Sequence, residues 1–242
     1  MNTAIEVRDV SVELDGSKVL KSLSFHVQPG RVHALLGRNG AGKSTTFKAL
    51  LGLVPIQRGT MTVFGGPVTS KSLKHIGSSI NGPALYDHLS ARDNLRIHAS
   101  LLGLPKREIN RVLTFVGLND VGRKKAKSFS TGMRARLALA IAMLGSPPLL
   151  MLDEPQNGLD PQGISDLREF LQYWARSGGT VLVSSHQLGE VSRLADDITV
   201  IHDGTAVFSG TAAEFVKGED LESRFLSVTN THTAKPQGGA LS

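Results

Sequence analysis

The chain is expected to fold as an α/β domain: a largely parallel sheet with helices on its faces, interrupted by a helical insertion. Three observations predict this. Short continuous apolar runs at 32–36, 149–152 and 181–184 have the character of strands covered on both faces. Segments with helical spacing of apolar residues separate them. Between about 89 and 144 the composition shifts to Leu, Ala, Arg and Lys, and strand signals disappear. Strand–loop–helix alternation with helices dropped into it points to a sheet flanked on both sides.

Taken in order, 5–14 and 22–27 read as strands, and Pro29-Gly30 turns the chain into the strand at 32–36. The glycine-rich segment 37–44 follows, then a helix to about Leu53, closed by Gly52 and Pro55. Leu95, Ile97, Leu101 and Leu102 mark one helical stripe, and Ile109, Val112, Leu113 and Val116 another. Gly103, Pro105 and Gly117 punctuate them. Asp160 before Pro161 is a cap and first-turn pair for a helix over 161–176, which Ser177-Gly178-Gly179 ends. Residues 198–201 and 206–208, joined across Asp203-Gly204, read as a hairpin. The domain should span 5–228, with 229–242 a flexible tail of Thr, Gly, Pro and Gln. No internal repeat is visible.

At 242 residues, with 40% hydrophobic and 20% charged residues, the chain has room for a substantial core. The longest apolar run, 137–144, falls far short of the roughly 18 residues a membrane span needs. It follows Arg134 and Arg136 and stops at Gly145, so it reads as a buried helix. Met1 to Asp9 carry charges and no apolar signal-peptide core, so export is not expected. The absence of cysteine excludes disulfide and thiolate chemistry and suits a reducing compartment. The net charge of +6 admits nucleic acid, an acidic membrane surface or an anionic nucleotide as partner. The densest basic cluster, Arg123, Lys124, Lys125 and Lys127, reads first as a solvated loop and second as a face toward acidic headgroups.

Gly37-Arg38-Asn39-Gly40-Ala41-Gly42-Lys43-Ser44-Thr45 fits the phosphate-loop pattern G-x-x-x-x-G-K-[S/T]. A strand precedes it and a helix follows, the context the motif requires. Small residues let backbone N–H groups curl around phosphates, and the helix start adds positive potential. Lys43 should reach the β- and γ-phosphates of ATP, and the Ser44 hydroxyl should coordinate Mg²⁺. Asp153 and Glu154 stand where the apolar strand 149–152 ends. The carboxyl edge of an open α/β sheet is where ligands bind, so this pair should face the phosphate loop. Asp153 is expected to hold the Mg²⁺ and Glu154 to orient and polarise the attacking water.

Together with these motifs, the remaining sequence resembles the ATP-binding cassette (ABC) transporter ATP-binding subunits, from about Ile5 to Val228. The resemblance implies a P-loop NTPase core with a mixed sheet, an N-terminal antiparallel β subdomain and a helical subdomain inserted at about 89–145. Phe129-Ser130-Thr131-Gly132-Met133 keeps the serine and second glycine of the family's L-S-G-G-Q signature. By that likeness Ser130 and Gly132 bind the γ-phosphate of ATP held by a second ATP-binding subunit. Pro155-Gln156-Asn157-Gly158-Leu159-Asp160-Pro161 resembles the D-loop, with Asp160 communicating across the pair. His186, after Ser184-Ser185, resembles the switch histidine that contacts the γ-phosphate and helps hold Glu154.

Two positions depart from the family pattern. Leu14 stands where an aromatic residue commonly stacks on adenine, and its loss implies weaker or less base-selective binding, by ~1–3 kcal/mol. Asn81 stands in the place of the Q-loop glutamine. It keeps the amide for the nucleotide and metal but is one methylene shorter, so metal contact becomes looser or water-mediated. The resemblance further implies an integral membrane permease as partner and a peripheral position on the cytoplasmic face of the plasma membrane. The stretch from Asn81 to Tyr86 and the altered signature are similar to exporters for self-protection against bacitracin-like or lantibiotic peptides. A sodium or lipid exporter is the alternative. An ABC ATPase acting on DNA or ribosomes is a rival class, but such proteins carry long coiled coils, large extra domains or a second cassette, so no nucleic-acid partner is expected. A scaffold that binds nucleotide without hydrolysis is disfavoured by Glu154 and His186.

Overall fold

The computed structural model describes residues 3–80, 82 and 84–231. Strands β1 (Ile5–Leu14) and β2 (Ser17–Val27) form a hairpin across Asp15-Gly16. Both turn residues hold positive φ, 49° and 76°, as a two-residue connection between right-twisted strands demands. β4 (Arg58–Val63) pairs with the other edge of β1, and β5 (Gly66–Pro67) completes an antiparallel sheet of order β2-β1-β4-β5. The strand expected over 22–27 thus begins earlier, at Ser17, and β4 and β5 lack any counterpart in the sequence reading.

A six-stranded sheet lies beside it. Its strands are β3 (Val32–Leu36), β6 (Ile76–Ser79), β7 (Leu149–Asp153), β8 (Thr180–Ser185), β9 (Asp197–His202) and β10 (Thr205–Thr211). The order is β10-β9-β3-β8-β7-β6. All neighbours are parallel except β10, which returns antiparallel to β9 across Asp203-Gly204. The expected hairpin is therefore the antiparallel edge of a mixed sheet.

Eight α-helices occur among the described residues: α1 (Lys43–Leu50), α2 (Ala91–Leu101), α3 (Lys106–Phe115), α4 (Thr131–Ala142), α5 (Pro161–Arg176), α6 (Leu188–Leu194), α7 (Ala212–Val216) and α8 (Leu221–Thr231). None is long and apolar enough to cross a membrane. The period-2 alternation of β3 divides its side chains between two cores. Val32, Ala34 and Leu36 join Leu150, Leu152, Val181 and Val183 against α2–α5, α7 and α8. Leu35 joins Leu149, Met151 and Leu182 on the opposite face, packed with Phe47 and Leu50 of α1 and the antiparallel sheet. A central sheet buried on both faces explains the unbroken apolar strands.

The helical insertion, α2 to α4, is rooted on β6. A Cβ on Gly77 would sit 1.9 Å from the Ala142 carbonyl oxygen, so only glycine admits α4 this close. α3 buries Ile109, Val112 and Leu113, with Val116 just beyond, as expected. α2 uses its expected stripe only in part: Leu95 is buried, together with Ala91, Asn94 and Ala99, whereas Leu101 and Leu102 are exposed. Six residues beyond Leu95 at ~100° each, Leu101 is turned off the buried face, and Leu102 sits at the C-cap before Gly103. α8 continues through Thr231, past the expected start of the tail.

Candidate functional site

Residues 37–42 leave β3 and enter α1 at Lys43. The loop is wedged between β2 and β9. A Cβ on Gly37 would lie 2.6 Å from the Ile201 carbonyl oxygen, and one on Gly42 would lie 2.6 Å from Leu20 Cδ2. Gly42 also adopts φ 112°, which L side chains rarely take. The glycines are thus dictated by both space and conformation, and the loop's backbone is left as its working surface. No side chain caps α1 at Gly42. The N–H groups of its first turn and its dipole make it a ready anion site. Lys43 is buried, and its Nζ donates to the Gly37 carbonyl at 2.7 Å and the Arg38 carbonyl at 3.4 Å. Its charge is directed across the loop. Arg38, Asn39 and Gly40 are exposed at the tip, while Ala41 is buried and Gly204 N donates to its carbonyl at 3.1 Å.

β8 lies between β3 and β7, so the ends of all three strands converge. Ser44 Oγ donates to Asp153 Oδ2 at 2.7 Å, joining the start of α1 to the end of β7. Ser184 of β8 donates its hydroxyl to Asp153 Oδ1 at 2.5 Å and accepts from Glu154 N at 2.9 Å. This serine therefore orients one carboxylate and pins the backbone of the next. Glu154 holds φ 51°, an uncommon conformation for a non-glycine residue, and the chain turns sharply there out of β7. Such strain gathers at functional sites, where surrounding bonds enforce it.

The turn brings Glu154 toward Lys43 and His186. Its Oε1 lies 3.8 Å from Lys43 Nζ, and its Oε2 lies 2.7 Å from His186 Nδ1. A carboxylate oxygen only accepts, so the imidazole presents Nδ1–H to it. Gln156, nearly buried, donates Nε2 to the same Oε2 at 3.1 Å and to Ser185 Oγ at 2.6 Å. Lys43, Ser44, Asp153, Glu154 and His186 thus form one cluster at the carboxyl edge of the sheet.

The other expected residues sit apart. Ser130 caps α4, its Oγ accepting from Met133 N at 3.2 Å. A Cβ on Gly132 would lie 3.6 Å from the Gly158 carbonyl oxygen, and one on Gly158 would lie 2.2 Å from Thr131 Cγ2, so the 155–158 turn packs on the start of α4. Asp160 caps α5 by accepting from Gly163 N at 2.8 Å. Leu14 ends β1, half-buried against the core that includes Leu20 and Ala41. Arg123, Lys124, Lys125 and Lys127 are exposed in the loop before Ser130. Asn81 lies outside the described residues. Ser184 and Gln156 escaped the sequence reading as site residues; the signal for the first was a pair of serines closing an apolar strand directly before His186.

The ABC transporter family profile matches residues 20–157. The chain is 39% identical over 221 residues to the lantibiotic transport ATP-binding protein SrtF of Streptococcus pyogenes, covering 91% of this chain and 95% of that one. It is 40% identical over 209 residues to the bacitracin transport ATP-binding protein BcrA of Bacillus licheniformis, covering 84% of this chain and 68% of that one. Among solved structures, an ATP-binding subunit of an ABC transporter matches with a TM-score of 0.86 at 30% identity, over 94% of this chain and 100% of that one. CbiO1 of Clostridium perfringens, part of an ABC transporter complex, matches with a TM-score of 0.79 at 26% identity, over 96% and 98%. The phosphate loop wedged behind β3, the acidic end of β7 and these likenesses agree: the chain belongs to the ABC transporter family, as an ATP-binding subunit of the kind that hydrolyses ATP to power transport.

Proposed function

We propose that this subunit pairs with a second ATP-binding subunit on the cytoplasmic face of the plasma membrane and drives export of a peptide antibiotic through a separate integral membrane permease. The observation that carries the catalytic part is the 2.7 Å bond from Ser44 Oγ to Asp153 Oδ2, which brings two hard oxygen donors together beside the phosphate loop. That donor set suits Mg²⁺, which favours carboxylate, hydroxyl and phosphate oxygens. Ser44 and Asp153 would hold it, with Asn81 contributing an amide; when bound, the ion neutralises charge developing on the β- and γ-phosphates. The loop N–H groups and Lys43 bind the phosphates. Glu154, its Oε2 held by His186 and Gln156, orients the attacking water and accepts its proton. His186 serves both that carboxylate and the γ-phosphate.

Pairing is supported by the location of the signature. Ser130 and Gly132 open α4 beside the 155–158 turn, where Ser130 caps the helix and a Cβ on Gly132 would meet Gly158 and Leu159. A helix start with an exposed serine, its hydroxyl hydrogen still available to donate, suits an ATP presented by another subunit. Binding two nucleotides between two such chains closes the pair, and loss of the γ-phosphate contacts reopens it, as in other nucleotide switches. The antibiotic cargo rests on the named activities of the relatives, which also include the linearmycin resistance protein LnrL of Bacillus subtilis at 37% identity. Co-expression of the chain with its permease should raise the inhibitory concentration of a bacitracin-type or lantibiotic peptide at least about fourfold, and Lys43→Ala should return it to baseline. Unchanged susceptibility to the whole peptide panel, with ATP turnover intact, would reject the cargo and leave the ATPase assignment standing.

Leu14 tests the nucleotide end of the site. Replacing it with tyrosine supplies the missing ring at the end of β1 and should tighten ATP binding about tenfold, a gain of ~1.4 kcal/mol within the range for stacking on a base. Equilibrium titration with ATP and GTP checks it; equal affinities before and after the change would dissociate Leu14 from the base.

A further inference from the structure

We infer that Gln156 is a positioning residue for hydrolysis: its side-chain amide ties the Glu154 carboxylate to the end of β8. The inference rests on the role proposed above for Glu154. Glu154 leaves β7 in a left-handed conformation and lies on a turn, so its backbone alone does not define where the carboxylate points. Two side chains settle the direction. His186 is about half exposed, on a segment beyond the end of β8. Gln156 is 6% exposed, and both hydrogens of its amide are engaged, one by Glu154 Oε2 at 3.1 Å and one by Ser185 Oγ at 2.6 Å. Ser185 is itself buried in the last position of β8 and accepts from Gln187 N at 3.0 Å. The amide therefore anchors Glu154 to the rigid sheet, whereas His186 holds it from the solvent side. With Oε2 occupied twice, Oε1 is the oxygen left facing Lys43, 3.8 Å away, and it is the one directed toward the phosphates.

Methionine matches glutamine in length and fills the buried space but donates nothing. In the full chain, Gln156→Met should lower kcat for ATP about tenfold, the effect expected from losing one hydrogen bond to a charged group. KM for ATP should stay within about twofold, because phosphate binding belongs to the loop and Lys43. Ser185→Ala frees the amide from its anchor and should lower kcat in the same direction. The double variant should be no slower than Gln156→Met alone, since both changes cut one tether. A loss of melting temperature with kcat per folded molecule preserved, or multiplicative effects in the double variant, would overturn the inference. Glu154→Gln is run in parallel. If that variant is inactive while Gln156→Met turns over at the wild-type rate, the tether fails and Glu154's role stands; if Glu154→Gln remains active, the parent reading fails.

Discussion

Glu154→Gln should lower ATP turnover by about 10²–10³-fold while leaving Mg-ATP binding intact, within the range that a positioned general base contributes. The substitution keeps the shape of the side chain but removes the charge and the oxygen basicity that the role proposed for Glu154, polarising water and receiving its proton, requires. Phosphate affinity should survive because the groups proposed for it lie elsewhere: the loop N–H groups behind β3, Lys43 donating across the loop, and Ser44 with Asp153. Removing a carboxylate 3.8 Å from Lys43 also leaves that ammonium more available to a γ-phosphate. The uncut nucleotide should then hold two subunits together. Size-exclusion chromatography with light scattering should show a dimer that persists in Mg-ATP and separates in Mg-ADP. Turnover undiminished in the variant would remove Glu154 from the role of base, whatever the state of association.

The expected effect depends on a cluster whose members were legible to very different degrees. Lys43, Ser44, Asp153 and Glu154 announce themselves because their chemistry requires fixed residue types beside apolar strands. Both the close approach of Gly37 to Ile201 and the φ of Gly42 leave little freedom in the motif. His186 was legible only through resemblance, since one histidine after a strand has no pattern of its own. Ser184 and Gln156 make bonds that arise from the parallel pairing of β7 with β8 across the α5 crossover, and no local spacing encodes those partners. The fold divides similarly. β3, β7 and β8 are buried on both faces and read as apolar runs. β6, a four-residue Ile-Gly-Ser-Ser stretch, is a strand because β7 lies beside it, and its glycine serves α4 rather than the sheet. β4 is exposed over its first three residues and buries only Met61 and Val63, too few positions to display alternation. In α2, burial of Asn94 was hidden by its polarity: the side chain is satisfied by Tyr86, accepting from its N at 2.8 Å and donating to its carbonyl at 3.1 Å. Hydropathy alone assigns such a residue to the wrong face.

Acid should destabilise the protein through a histidine remote from catalysis. His33 sits in β3 between β8 and β9, 1% exposed, with Nε2 2.8 Å from Thr199 Oγ1 and Nδ1 buried without a partner. Burial, reinforced by the charges of His26 and Arg31, pushes its pKa down to about 3 from an ordinary value of 6.5. As pH falls below 6.5 the unfolded chain therefore takes up a proton that the folded chain refuses. The contribution is fully present above pH 6.5 and is lost progressively down to about pH 3, at about 1.4 kcal/mol per pH unit. By pH 5 this amounts to about 2 kcal/mol. His33→Phe removes the proton site and keeps a ring near Phe25, whose centroid lies 6.0 Å from that of His33. Thr199 retains its contact with Ser209 Oγ at 2.9 Å, so the hydroxyl is not stranded. Denaturant unfolding of both forms at pH 7 and pH 5 isolates the effect, because every other titrating group is shared. Wild type should lose about 2 kcal/mol more than the variant between the two pH values, whichever is the more stable at pH 7. Equal losses would mean that His33 accepts its proton inside the sheet. Because β3 leads directly into the phosphate loop, denaturant should abolish nucleotide binding at a lower concentration at pH 5 than at pH 7, and His33→Phe should narrow that difference.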